Sequence, residues 1–181
     1  MDKRTQTQRF ERVVLPHLAA AYNLARWLMR NDQDAEDAVQ EAMLRAFRFI
    51  DGFRGGDSRV WLLTIVRHAC FTCLRQNRHK MLAVPFAEEE LQDRADGQDD
   101  VDDAADPGAP LLLEADRLLV NRALEALSAP HREVLVLREL EELSYREIAQ
   151  ITGVPIGTVM SRLAQARRRL REAYARVSGE V

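Results

Sequence analysis

Seven polar residues crowd one stretch near the end of the chain: Ser161, Arg162, Gln165, Arg167, Arg168, Arg169 and Arg171. Guanidinium groups are forked donors that fit phosphate oxygens, and Ser and Gln side chains reach base edges. The chemistry open to such a set is to hold and read a DNA duplex. Among these residues Val159, Leu163, Ala166 and Leu170 recur at helical spacing. One helix therefore has an apolar back and a cationic front, as a helix in a major groove requires.

The residues upstream set that helix in place. Leu143 to Arg171 reads LSYREIAQITGVPIGTVMSRLAQARRRLR, a helix-turn-helix. Ser144 is an N-cap, and Glu147 three residues later completes a capping box. Ile148, Ala149, Ile151 and Thr152 give the first helix its inner face. Gly153 ends it, because a residue without Cβ takes the left-handed conformation at little cost. Pro155 cannot continue the first helix but suits the start of the second. Ala149 is small where the helices cross, and Val154 and Val159 fill the wedge between them. A plain helical hairpin with a solvated Arg face is the competing reading. Cap, Gly, Pro, small Ala and Arg cluster together favour DNA binding. They do not say whether the protein represses, activates or initiates.

The 181-residue chain suits one domain or two small ones. Its net charge of −3 hides an uneven distribution. Residues 1–86 carry 14 Lys+Arg and 9 Asp+Glu, and residues 111–181 carry 11 and 10. Residues 87–110 carry one Arg against ten acids, with Gly97, Pro107, Gly108 and Pro110. That composition predicts an acidic flexible linker between two small helical domains. The fold class expected is all-α, with a helix-turn-helix in the C-terminal domain. No run is apolar and long enough to span a bilayer, and the first ten residues lack a hydrophobic segment after their charges. A cytoplasmic protein without membrane insertion is expected.

In the first domain a helical stretch covers roughly Gln6 to Met29, broken or kinked at Pro16. Asn31-Asp32 reads as a short turn. Asp34 to Ile50 is the clearest amphipathic helix, with acids in its first turn where the helix dipole favours them. Its outer face offers Asp37, Gln40, Glu41, Leu44, Arg45 and Arg48, and Leu44 among polar residues hints at a partner surface. The loop Asp51–Asp57 precedes a helix from about Ser58 to Asn77, whose Trp61, Leu62, Ile65, Val66, Ala69 and Cys73 face a core. Aromatic and basic groups together, here Phe53 and Arg54 on a glycine hinge, suit single-stranded DNA. A core Phe53 beside a plain turn fits the local residues equally well. Cys70 and Cys73 share a helix face; packing is the favoured role, with a redox pair as the alternative. With His68 they fall short of a zinc site, which needs a fourth ligand. In the second domain Ser128 caps a helix with Pro130 in its first turn.

Taken together, these segments resemble the extracytoplasmic-function sigma factors of bacterial RNA polymerase. DAEDAVQEAMLRAF (Asp34–Phe47) is similar to their polymerase-binding helix. FRGG with WLLTIVRHACFTCLR (Phe53–Arg75) resembles their promoter-melting region, and Leu143–Arg171 their helix-turn-helix for the −35 element. The resemblance covers nearly all of the chain outside the linker, with the motifs in the family's order. It implies residues 1–86 as a region 2 domain, 87–110 as the linker and 111–181 as a region 4 domain. It implies core RNA polymerase as partner through its β′ clamp helices and β flap, with Asp37, Gln40, Glu41 and Arg45 at the contact. It implies promoter DNA as a second partner, with Thr158, Ser161, Arg162, Gln165 and Arg168 at −35. Phe53, Arg54, Trp61, His68 and Arg75 would serve at −10, where unpaired bases are captured at a cost of a few kcal/mol each. An anti-sigma factor is a third implied partner. No cofactor, no metal and no catalysis of its own are expected; the polymerase is the enzyme.

Two departures from the family pattern bear on specificity. His68 stands where Asn is usual and Thr72 where Asp is usual, which puts −10 preference in question and opens a pH-sensitive role for His68. Met160 replaces a common basic residue in the recognition helix. The acidic linker has two readings of equal standing: an RNA mimic in a basic polymerase channel, or a solvated tether. A conventional helix-turn-helix regulator that binds its operator without polymerase, as a dimer, is the alternative function.

Overall fold

The computed structural model describes residues 3–82 and 110–179, with side chains described for 4–77 and 117–179. The acidic segment 87–110 lies outside the described residues except for Pro110. Every element described is helical: α1 (Lys3–Val13), α2 (Leu18–Met29), α3 (Asp32–Phe49), α4 (Ser58–Leu82), α5 (Pro110–Glu125), α6 (Ala129–Leu135), α7 (Tyr145–Thr152) and α8 (Ile156–Ser178). Single 3-10 turns, Leu15–His17 and Ile50–Gly52, follow α1 and α3, and a π-helical turn, Val136–Leu140, extends α6.

In the N-terminal half α2, α3 and α4 pack against one another. Their apolar stripes supply Ala21, Leu24 and Leu28 from α2, Ala35, Ala38, Val39, Ala42 and Ala46 from α3, and Leu62, Val66 and Ala69 from α4. The many alanines on α3 let the helices approach closely, while the leucines fill the centre. Pro16 separates α1 from α2, as its missing N–H demands. Asn31 is the N-cap of α3, its side chain accepting from the Asp34 amide at 2.9 Å. The helix therefore begins at Asp32, two residues before the sequence reading placed it, because Asn-Asp is cap chemistry as well as turn chemistry. At the other end Ile50 belongs to the 3-10 turn rather than to the helix.

In the C-terminal half α5, α6 and α7 all pack on α8. Ser128 occupies the N-cap position of α6 but makes no cap bond with its side chain; its hydroxyl meets His131 Nδ1 at 2.7 Å instead. The capping box of α7 is present as expected, with Ser144 N donating to Glu147 Oε2 at 2.7 Å and Glu147 N donating to Ser144 Oγ at 3.3 Å. Gly153 follows at φ +69°, and its N–H closes on the Ala149 carbonyl at 2.9 Å.

The two halves share one contiguous apolar cluster, in which α4 lies against α7 and α2 against α6. This explains a face the sequence reading left out. Leu63 and Cys70 of α4 are fully buried, because α4 packs on both its own domain and the other. Among the described residues no helix is long and apolar enough to cross a membrane.

Candidate nucleic-acid interface

Two surfaces carry the candidate DNA contacts. The first is the loop before α4 together with the outer face of that helix. Gly55 and Gly56 stand at φ +103° and +98°, backbone that a side chain would strain. Asp57 then caps α4, accepting from the amides of Arg59 at 2.8 Å and Val60 at 3.1 Å. The Arg9 guanidinium of α1 donates to the Phe53 carbonyl and ties the loop down. Held this way, the Phe53 ring leans on Trp61, centroids 5.0 Å apart and planes at 41°. Both rings are half-buried and still border a cavity of about 320 Å³ lined by residues 52–55 and Asp57 of the loop, Val60, Trp61 and Gln150. Phe53 is thus neither a core residue nor a fully exposed one. Trp61, His68 and Arg75 follow at seven-residue steps, which stacks them along one face of α4. His68 and Arg75 are exposed, as is Arg54. The Thr72 hydroxyl donates to the His68 carbonyl at 2.8 Å and so serves the helix backbone.

The second surface is α8. Ser161, Gln165 and Arg168 are exposed, while Thr158 and Arg162 are half-buried. The five do not share one environment. Arg168 projects freely, with only a 3.7 Å ion pair to Glu172 on its own helix. Gln165 instead meets His131 Nε2 through Oε1 at 3.3 Å, and Arg162 lies close enough to Glu133 to favour its charged form. Arg167, on the opposite flank, is held by Glu139 at 2.6 Å, which raises its already high pKa.

On α3 the candidate polymerase contacts Asp37, Gln40 and Glu41 are exposed and Arg45 is half-buried. Glu41 and Arg45 pair at 2.6 Å one helical turn apart. Leu44 is 56% exposed among them, and Phe49, which the sequence reading did not single out, is 64% exposed. Two large apolar side chains in water beside charged ones are what a docking face offers.

The structure adds charged residues that sequence reasoning missed. Arg67 of α4 donates to Glu133 of α6 at 2.5 Å, and Arg59 pairs with Glu141, which also accepts from Asn23 at 3.2 Å. Glu133 is wholly buried; burial pushes its carboxyl up, against the pull of Arg67. Arg132 is buried too, and burial lowers its guanidinium to about 10, so it stays cationic at neutral pH. For Arg132 and Glu133 the signal in the sequence is the run HREVLVLREL, charges embedded among buried-type residues. Cys70 is buried, with its thiol pushed up to about 12 chiefly by that burial, which suits packing rather than redox chemistry. Among the described residues no group of three or more His, Cys, Asp or Glu is placed to hold a metal ion.

Comparison with known proteins bears on both surfaces. The family model for Sigma-70 region 2 matches residues 13–80, and that for Sigma-70, region 4 matches 117–170. The chain is 37% identical over 136 residues to the ECF RNA polymerase sigma-E factor of Escherichia coli, covering 74% of this chain and 70% of that protein. It is 33% identical over 175 residues to the ECF RNA polymerase sigma factor SigE of Mycolicibacterium smegmatis, covering 95% of this chain but 64% of that longer relative. Among solved structures, the sigma factor RpoE in complex with the anti-sigma factor NepR from Bartonella quintana aligns at TM-score 0.67 and 28% identity, over 91% of this chain and 95% of that one. CnrH, in complex with the cytosolic domain of CnrY, shares the fold at TM-score 0.59 and 23% identity, over 90% and 85% of the two chains.

Proposed function

The chain belongs to the extracytoplasmic-function sigma factors, and from that premise we propose that it carries core RNA polymerase to specific promoters in the cytoplasm. The observation that supports this most is that one chain carries two different surfaces, each suited to a different form of nucleic acid. The Phe53–Trp61 loop with His68 and Arg75 suits unpaired bases, and α8 behind its capped turn suits a duplex groove. A regulator that reads only duplex has no use for the first.

Roles follow residue by residue. Phe53 and Trp61 offer aromatic faces to an extruded base, and stacking of this kind contributes about 1–3 kcal/mol per base. Arg54 and Arg75 flank them as phosphate contacts, and His68 meets a base edge. Thr158, Ser161, Arg162, Gln165 and Arg168 read the −35 duplex. Asp37, Gln40, Glu41 and Arg45, with Leu44 and Phe49 beside them, dock on the β′ clamp helices, and the C-terminal domain meets the β flap. The chain supplies recognition, and the polymerase supplies catalysis. Because the similar sigma factor RpoE of Bartonella quintana forms a complex with the anti-sigma factor NepR, we assign such a partner to this chain as well.

A gel-shift on a promoter library, with and without core polymerase, tests the reading. Sequence-specific retention that depends on core supports it. Specific binding by the chain alone, as a dimer on a palindrome, would favour the conventional regulator.

A further inference from the structure

Arg59 and Arg67 lie on α4, the same helix that presents Trp61, His68 and Arg75. Eight residues separate the two, about 12 Å along the axis. Each is held by a carboxylate from the other domain: Arg59 by Glu141, and Arg67 by Glu133 at 2.5 Å. Both carboxylates are 5% exposed or less. The same closure brings Gln150 of α7 to the rim of the Phe53–Trp61 cavity. A guanidinium fork donates to carboxylate and phosphate oxygens in the same geometry, so the two anions compete for one donor.

The closed arrangement also conflicts with promoter reading. Elements named −10 and −35 are centred roughly 85 Å apart along duplex at 3.4 Å per base pair, whereas here α4 and α7 touch. The domains must part for both elements to be read at once. Two atoms buried in the interface, Arg132 Nε and Glu133 Oε2, lack a hydrogen-bond partner among the described residues, which lowers the cost of parting it.

The geometry points to Arg59 and Arg67 as further DNA contacts, made to strand phosphates, with Glu133 and Glu141 as internal stand-ins for those phosphates while the chain is closed. The assignment rests on the sigma-factor reading of α4. It makes opening and DNA capture one exchange, in which two guanidiniums leave carboxylates for phosphates.

The test uses the full-length chain and a fluorescein-labelled oligothymidylate, read by anisotropy across a salt series. Glu133→Gln with Glu141→Gln leaves both cations uncompensated, which weakens closure and frees them. This variant is expected to bind about tenfold tighter at low salt, with a salt slope steeper by about 1.4, two contacts at about 0.7 each on a single strand. Adding Arg59→Ala and Arg67→Ala is expected to return affinity and slope to wild type or below. Unchanged affinity and slope in the Gln variant, or a gain that survives loss of both arginines, would overturn the assignment. If circular dichroism shows the Gln pair unfolded, Glu141→Gln alone carries the test, with a slope change of about 0.7. Core-dependent promoter binding by the wild-type chain is measured alongside. Its presence with an unresponsive Gln variant sinks this assignment alone, and its absence sinks the reading on which it rests.

Discussion

Arg132 of α6 donates through Nη1 to the main-chain carbonyl of Trp27 on α2 at 2.7 Å, joining the two halves of the molecule. Its other terminal nitrogen donates to the Leu127 carbonyl, also at 2.7 Å. With 3% of the residue exposed, this cation is held by carbonyls rather than by water. Hydrogen bonds to a charged group are each worth about 1.5–3 kcal/mol. Arg132→Met keeps much of the volume and removes both, while sparing the cost of burying the charge. A net loss of about 1–3 kcal/mol is expected, read as a lower urea midpoint with the slope unchanged. An unshifted midpoint would show that Arg132 does not hold the halves together.

The Cys70 thiol gives the stability curve an alkaline edge. Burial pushes the thiol up from its ordinary 9.0 to about 12 in the folded chain. Below about pH 8 neither state loses the proton, and Cys70 contributes no slope. Above 9 the unfolded thiol ionises while the folded one does not, so stability falls as pH rises, by up to about 1.4 kcal/mol per unit. Cys70→Ala should flatten that edge in urea titrations between pH 8 and 10. In the native chain Cys70 should also resist alkylation at pH 8, as peptide mass mapping would show. Rapid labelling there contradicts the buried thiol.

The turn between α7 and α8 rests on local chemistry and should fail locally. Ser144→Ala removes one half of the capping box and is expected to cost about 1 kcal/mol. Gly153→Ala places a Cβ at φ +69°, where nothing crowds it, so only the backbone strain counts, also about 1 kcal/mol. Thermal melts of the two variants should show similar, modest losses. A silent Ser144→Ala would mean the cap bonds of α7 exchange for water at no cost.

Such features were legible in the sequence because their causes lie within a few residues. Ser144, Glu147 and Gly153 specify a cap, a first turn and a stop with no help from elsewhere. The apolar period of α3 is likewise plain in the sequence, and only its two ends differ: Asn31 serves a turn or an N-cap equally well, and Ile50 continues the apolar stripe while the backbone has already tightened into a 3-10 turn. The clasp between domains was not legible. Arg67 and Glu133 are 66 residues apart, and a charged residue on a helix ordinarily faces water. Nothing local marks the pair as partners, nor tells that Leu63 and Cys70 have a second core to enter. The five −35 candidates lie on one helix, yet the fold divides them, with Arg162 and Gln165 turned toward α6.

That division predicts unequal mutants on α8. Arg168→Ala should weaken −35 duplex binding by the holoenzyme and lower its salt slope by about 0.9, one phosphate contact on duplex DNA. Arg162→Ala should weaken −35 binding as well. It should also loosen the free chain around Glu133, seen as a lower melting temperature that Arg168→Ala does not share. Wild-type promoter affinity in both variants would refute the assignment of this helix face.

The central claim is that two reading surfaces on one chain act through a shared polymerase. Run-off transcription with core polymerase on a randomised promoter library tests it most directly. Selected templates should carry two conserved blocks at a fixed separation. Phe53→Ala should relax the downstream block, and Arg168→Ala the upstream one. Transcripts that arise without the chain, or selected templates bearing a single palindromic site, would contradict it.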